Sequence, residues 1–181
     1  SGKTGAAEEP TLKTICSLKQ VEVATEIVED MALATYNGRQ AMVKIKGVED
    51  NFDSLTHIRE ILEGDGEYCL HAADMHYGIV GIRLAERFGM GYTFQNELKI
   101  YAPKREGQLN LANPQDGFVE GNLYSPGVLF CVKQGKYDKN YILTSIAFAR
   151  NLFAQQGMVS AVELRLKPGS DFDGVKAEMN K

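Results

Sequence analysis

The sequence predicts an α+β fold, and three of its features carry that prediction. Asn37-Gly38 stands between two stretches in which apolar and polar residues alternate, the pattern of a hairpin closed by a type I′ turn, whose two central residues need positive φ. Toward the C-terminus, over 141–167, a strand pattern, a helix pattern and a second strand pattern follow one another in the order of a βαβ unit. Between them, after Gly47-Val48, this regularity gives way to charged residues and glycines, so a boundary is expected there, with the first and last segments forming two halves of one layer. The 181 residues, 44% apolar and 24% charged, suffice for the core of one or two domains and lack the bias of a disordered or low-complexity chain.

Taken in order, residues 10–19 place Leu12, Ile15 and Leu18 at helical spacing behind a proline suited to a first turn. Val21, Val23, Thr25 and Ile27 fall on one face of an extended strand, and the hairpin follows over 32–47. A short apolar piece at 54–62 and Gly64-Asp65-Gly66 come next. Tyr77, Val80, Leu84 and Phe88 then make one stripe of a predicted helix, with Arg83, Glu86 and Arg87 opposite and Gly89 as its left-handed end. Leu98, Ile100 and Ala102 alternate as a strand, and a second apolar strand is expected over 127–133. Residues 141–144 form a strand. The helix from about Ser145 buries Ile146, Ala149, Leu152 and Phe153, and Val162, Leu164 and Leu166 line the strand after it, through a crossover expected to be right-handed. A last helix starts near Asp171, capped by Ser170 or Asp171.

Segment 104–125 has no sustained period and is rich in Gly, Asn and Pro, yet it connects two strands; connections of this length are usually functional or mobile. It also carries Leu109, Leu111, Pro114, Phe118, Val119, Leu123 and Tyr124. An extended hairpin or arm offering apolar side chains to a partner accounts for both features, and so does a surface loop packing them on its own domain.

Composition removes several function classes. Lys and Arg number 20 against 24 Asp and Glu, a net charge of -4, so no positive excess exists to neutralise a nucleic-acid backbone. The longest apolar runs are about six residues, against the roughly 20 that cross a bilayer. The chain begins Ser-Gly-Lys-Thr, without Met or the regions of a secretion signal, and reads as a piece of something larger. Cys16, Cys69 and Cys131 are too few and too far apart for a disulfide framework or a two-plus-two zinc pattern; at most one bridge can form, and a buried free thiol is expected at Cys131.

Catalytic patterns are thin. Gly2-Lys3-Thr4 lacks the upstream glycine and preceding strand of a phosphate loop. His71, Asp74 and His76 are metal-ligand types at close spacing, but a solvated turn explains them better than a metal enzyme. The carboxylates Glu26, Glu29, Asp30, Glu49, Asp50 and Asp53 follow no calcium-loop spacing, and no nucleophile elbow or dinucleotide turn is present. The expectation is a binding or force-transmitting module with no catalytic residue, cofactor or metal.

Val43-Lys44-Ile45-Lys46-Gly47-Val48-Glu49, coming directly after the hairpin with Leu33-Ala-Thr-Tyr36, resembles the "v-x-ikGVd" segment of the extracytoplasmic domain of lipoprotein-releasing ABC permeases of the LolC/LolE type. Tyr77-Gly78 to Gly89, Leu98-Lys-Ile-Tyr-Ala-Pro103, Phe130-Cys-Val with Tyr137-Asp138, Tyr141 to Phe153 and Val162 to Leu166 are similar to that family's later segments in the same order, from about Pro10 to Lys167. The resemblance implies a periplasmic domain between two transmembrane helices of an inner-membrane permease, related to the MacB exporters and FtsX-like proteins. Its parts would be a discontinuous porter-like α+β subdomain, here 1–48 and 139–181, and an inserted β-rich sabre-like subdomain, 49–138. The implied partners are a cytosolic ATP-binding subunit, a second permease subunit, and a periplasmic carrier with its lipoprotein cargo. The implied docking element is a hook at 104–125, with Leu109, Leu111, Pro114, Phe118, Leu123 and Tyr124 as its contact residues. No hook sequence matches there residue by residue, so a peptide or small toxic compound stays open as the cargo, as does FtsX-like signalling.

Overall fold

The structure is a computed structural model that describes residues 5–6, 21–104, 112, 117–153, 158–159 and 161–166. The helices expected at 10–19 and 171–181 lie outside the described residues, as does Cys16. In chain order the strands are β1 (Gly5–Ala6), β2 (Val21–Tyr36), β3 (Arg39–Val48), β4 (Leu62–Glu63), β5 (His71–Ala72), β6 (Met75–His76), β7 (Ile79–Val80), β8 (Leu98–Pro103), β9 (Phe118–Leu123), β10 (Leu129–Phe130), β11 (Tyr141–Ser145), β12 (Met158–Val159) and β13 (Ala161–Leu166). The helices are α1 (Phe52–Leu55), α2 (Ile82–Phe88), α3 (Gly135–Asn140) and α4 (Ile146–Leu152), with a 3₁₀ turn at Ile58–Ile61.

The expected hairpin forms, with Asn37 at φ 47 and Gly38 at φ 80 between β2 and β3. Around it a seven-stranded mixed sheet is ordered β7-β11-β3-β2-β8-β9, with β13 also on β2. Among the described strand pairs of this sheet β11 and β3 run parallel and the others antiparallel. The strands flanking α4 are not neighbours in the sheet, because β3 and β2 lie between β11 and β13. At 16 residues, β2 is about 50 Å long at the usual rise per residue. Its first half pairs with β13 over Val21–Ile27, while Leu33, Ala34 and Thr35 pair with β8. One sheet therefore runs without interruption through the residues on either side of the boundary expected near Val48.

Alternation along the strands divides the interior in two. Val28, Ala32 and Ala34 of β2, Val43 and Ile45 of β3, and Ile142 of β11 face α2 and α4 in the main core, with Leu84, Leu98, Ile100 and Leu123 fully buried among them. The next residues along, Ile27, Val48 and Leu143, face the other way and pack with Phe52, Ile58, Val128 and Phe130 in a second cluster. Each large aliphatic side chain buried in this way contributes roughly 1.5–3 kcal/mol. Gly47 is what lets α4 come close: a Cβ there would collide with the Ala149 methyl and stand 3.0 Å from Ser145 O.

Three expectations change. The helix predicted from Tyr77 starts at Ile82, because Tyr77 and Ile79–Val80 are drawn into extended pairing: Ile79 and Val80 lie opposite Leu143 and Ile142, and Thr144 Oγ1 donates to Tyr77 O at 2.8 Å. Its left-handed end at Gly89 (φ 68) is as expected. Of the strand expected over 127–133, only Leu129–Phe130 pairs, with Leu62–Glu63, after a turn at Gly127 (φ 80). In α4 the buried positions are Phe148, Ala149 and Leu152, with Phe153 just beyond; Ile146 is half-buried.

Candidate partner-binding surface

On the face opposite α4, the far half of the sheet carries apolar side chains where alternation leads to water. Leu33 pairs with Met42 on one side and Tyr101 on the other, Tyr101 pairs with Glu120, and Pro103 pairs with Phe118. Met31, Met42 and Phe118 are 45%, 54% and 48% exposed. A concavity of about 530 Å³ opens among Leu33, Thr35, Gly38, Gln40, Tyr101, Phe118 and Glu120. Lys99 and Glu120, 3.8 Å apart, supply charges at its margin. An exposed apolar patch with a polar rim is the ordinary surface signature of a protein or peptide contact.

The segment foreseen as a partner-facing arm is half strand in the described residues. β9 pairs along the whole of β8, from Leu98–Leu123 to Pro103–Phe118, and Lys104 N donates to Gly117 O at 2.7 Å, so the two strands rise together toward 105–116. Leu109, Leu111 and Pro114 lie outside the described residues. Phe118 projects into solvent on the open face. Leu123 is fully buried in the main core, because alternation along β9 turns it inward with Val119 and Gly121; its side chain packs the interior and is not available to a partner. Tyr124 is half-buried and fixed by backbone bonds, its N donating to His76 O at 3.0 Å and its O accepting from Gly78 N at 2.9 Å. Leu33, Met42 and Tyr101 were not singled out from the sequence. Their signal was available in the hairpin pattern, which puts Met31, Leu33 and Met42 on the face expected to be polar.

The metal-type residues form a small hairpin. His71 lies opposite His76, with ring centroids 6.4 Å apart, and His71 Nε2 is 2.8 Å from Asp50 Oδ1. No group of three His, Cys, Asp or Glu side chains able to hold a metal occurs among the described residues. His76 Nδ1 lies 2.7 Å from Ser145 Oγ, the nearest thing here to a base beside a nucleophile. That hydroxyl oxygen accepts the Phe148 N–H at 3.2 Å as the N-cap of α4, and Ser145 is 3% exposed, so it is committed to the fold. Burial, then the neighbouring His71, pushes the His76 pKa below the usual imidazole value against a smaller opposing effect of Asp74, which suits a neutral ring accepting the serine proton.

The remaining charges are structural. Glu26, mostly buried, pairs with Arg150, and Glu49 accepts the Glu26 N–H at 2.8 Å. Asp138, also buried, accepts the Val132 N–H at 2.8 Å, which gives the Tyr137-Asp138 pair a folding role. Cys69 and Cys131 are free and half-buried, so Cys131 is less enclosed than expected. No described helix is long and apolar enough to cross a membrane.

Three solved structures share this architecture. The extracellular domain of YknZ, an ABC-type transporter from Gram-positive bacteria, aligns with a TM-score of 0.62 at 12% identity, over 97% of this chain and 78% of that one. The periplasmic region of MacB from Actinobacillus actinomycetemcomitans aligns with a TM-score of 0.58 at 7% identity, over 94% and 69%. A domain assigned to a permease protein of Porphyromonas gingivalis aligns with a TM-score of 0.54 at 14% identity, over 99% and 71%. The chain has the α+β fold of the YknZ extracellular domain and the MacB periplasmic region. No protein-family model and no curated protein matches it.

Proposed function

We propose that this chain is the extracytoplasmic domain of an ABC transporter permease, passing motion driven by a cytosolic ATP-binding subunit to cargo outside the membrane and performing no chemistry itself. The observation that carries the reading is that the likeness to transporter domains spans nearly the whole chain, 94–99% of it, rather than one recurring motif. In this reading residues 1–48 and 139–181 form the part that receives motion beside the membrane, and 49–138 the part that meets cargo. The β2–β3 hairpin belongs mechanically to both, since β2 carries β13 at one end and β8 at the other.

The finer proposal is release of a lipoprotein from the inner membrane to a soluble periplasmic carrier, with the β8–β9 arm and the open face around Phe118 as the docking surface. Exposed Phe118, Met42 and Met31 favour a macromolecular contact there. The alternative is a peptide or drug exporter, or a signalling domain, of the same architecture. Two measurements test the scheme in the intact permease paired with its ATP-binding subunit. Labelling of Cys69 by a membrane-impermeant maleimide in spheroplasts should succeed, and labelling only after lysis would refute the extracytoplasmic placement. Carrier capture by the wild-type chain should be lost in Phe118→Asp; capture that is absent, or unchanged by the substitution, removes lipoprotein handover and leaves the exporter or signalling reading.

A further inference from the structure

Strand β9 ends the sheet on one side, and its pairing with β8 fixes which of its backbone groups face outward. Residues opposite each other in an antiparallel pair alternate between exchanging both hydrogen bonds and exchanging none. Lys104 N donates to Gly117 O, so 117, 119, 121 and 123 bond inward to β8. Phe118, Glu120, Asn122 and Tyr124 therefore turn their N–H and C=O groups the other way. Tyr124 bears out this parity, because its outward groups are taken by His76 O and Gly78 N. Phe118, Glu120 and Asn122, all exposed, have no backbone partner on that side among the described residues.

We propose that this edge binds an extended segment of a partner protein, which joins the sheet as a strand antiparallel to β9 over 118–122 and carries apolar side chains at alternate positions. The inference stands independently of the transporter reading, since it concerns only the edge of this chain.

The occupant follows from what the edge offers. Three N–H donors and three C=O acceptors at two-residue spacing are complementary to another extended backbone. Tyr77 already meets the same edge at Tyr124 in a parallel bridge, so an added strand would continue a ladder that the fold has begun. Sheet edges are ordinarily shielded by shortness, bulges, Lys or Pro. Elsewhere in this sheet they are: β7 has two residues, and the pairing of β13 shifts register between Arg165 and Leu166. β9 has six residues in unbroken register, without Lys or Pro.

The edge also has room for side chains. A concavity of about 330 Å³ lies beside β9 on the α4 side, among Val119, Gly121, His76, Phe148 and Leu152. A strand added about 4.8 Å from β9 would set the residues opposite Val119 and Gly121 over it. Gly121 has no side chain of its own, and the Phe148 ring lies over its place, so these two positions of the segment should be apolar. The alternate positions, beside Phe118, Glu120 and Asn122, meet solvent. A second copy of this chain fits less well. The antiparallel self-pairing that uses all three free residues of both copies sets Glu120 opposite Glu120, and like charges in that position destabilise a pair.

Fluorescence anisotropy of the labelled, C-terminally amidated peptide Thr-Ile-Thr-Val-Thr with the 181-residue chain tests this. Binding should saturate at one peptide per chain, with the central Thr opposite Glu120 and the Ile and Val facing α4. N-methylation of the central Thr removes an N–H that bonds β9 and should weaken binding at least about tenfold; N-methylation of the Val, whose N–H faces away, should change it by less than about threefold. Glu120→Pro should weaken binding at least about tenfold while leaving the thermal midpoint nearly unmoved, because the N–H it removes is not used in the sheet. Glu120→Ala, which keeps that N–H, should bind like the wild type. No saturable binding, N-methyl peptides that bind alike, or a folded Glu120→Pro chain that binds undiminished would each overturn the proposal. So would a concentration-dependent dimer, seen by sedimentation and lost in Glu120→Pro, which would assign the edge to a second copy.

Discussion

Replacing Gly47 with alanine tests how closely α4 must lie on β3. The added methyl would overlap the Ala149 methyl and stand 3.0 Å from Ser145 O and 3.1 Å from Ile146 Cα, where carbon contacts normally settle at about 3.5–4.0 Å. The two backbone contacts alone require α4 to retreat by about 0.5 Å, and the methyl overlap requires more. Gly47 is enclosed between Val28 and Thr144 in the middle of the sheet, so the strand cannot yield, and overpacking of this kind costs about 1–3 kcal/mol. Ala149→Gly removes the opposing methyl at a cost of about 1 kcal/mol in helix propensity, plus about 0.8 kcal/mol for the lost buried methyl. Combining the two moves the methyl from helix to strand. The double variant should be more stable than the sum of the single effects predicts by about 1–2 kcal/mol, incompletely rescued because the Ser145 and Ile146 contacts remain. Urea unfolding of the four proteins, with unchanged slope, gives the coupling; strict additivity would refute the claim that these two residues set the strand–helix distance.

Further expectations follow from particular side chains. Asp138→Leu should cost about 1–3 kcal/mol in urea unfolding by leaving the Val132 N–H without its acceptor, and Asp138→Asn should recover most of that loss through its amide oxygen. Leu123→Ala should cost about 2–5 kcal/mol, while Phe118→Ser, at the other end of β9 and on its opposite face, should change stability by less than about 0.5 kcal/mol, a contrast read from thermal midpoints that separates interior from partner-facing residues on β9. His76 titrates below its unfolded value of 6.5, so as pH falls past that value the unfolded chain takes up a proton that the folded chain refuses. Stability should therefore decline from about pH 7 toward the folded pKa, and His76→Gln should flatten that decline; a pH-independent difference between wild type and variant would contradict the assignment.

The parts of this fold that local chemistry dictates were legible in the sequence. Asn37-Gly38 needs no tertiary partner to favour its turn, and Ser145 announces a helix start because its hydroxyl can reach the Phe148 amide. What failed was decided by neighbours distant in the chain. Tyr77 and Val80 share a helical period with Leu84 and Phe88, but β11 offers Val80 an extended partner in Ile142, and in so short a window both periods fit. The alternation of β9 is interrupted at Gly121, and the structure supplies the reason: a Cβ there would stand 2.7 Å from the Phe148 ring, which lies over the space a side chain would occupy. The concavity beside the second cluster is lined by residues from Lys46 to Leu143, so no linear motif could contain it.

On the proposed function, the same pairing pattern bears on where a chain that receives movement and delivers it would bend. A boundary drawn from composition near Val48 would make a hinge of the residues after β3, yet the backbone bonds do not divide there. β2 is held by β3 along ten paired positions, and on its other edge β13 ends at Ile27 while β8 begins at Leu33, leaving Val28 to Ala32 bonded on one side only among the described pairs. If the sheet bends as a lever, it should bend across that span rather than after Val48. The glycine at position 47 pairs with Val28 at one end of the span and brings α4 against it. Hydrogen exchange should therefore show weaker amide protection within 28–32 than in the flanking parts of β2, even though Val28 and Ala32 are buried; uniform protection along β2 would favour a rigid blade moved as a whole.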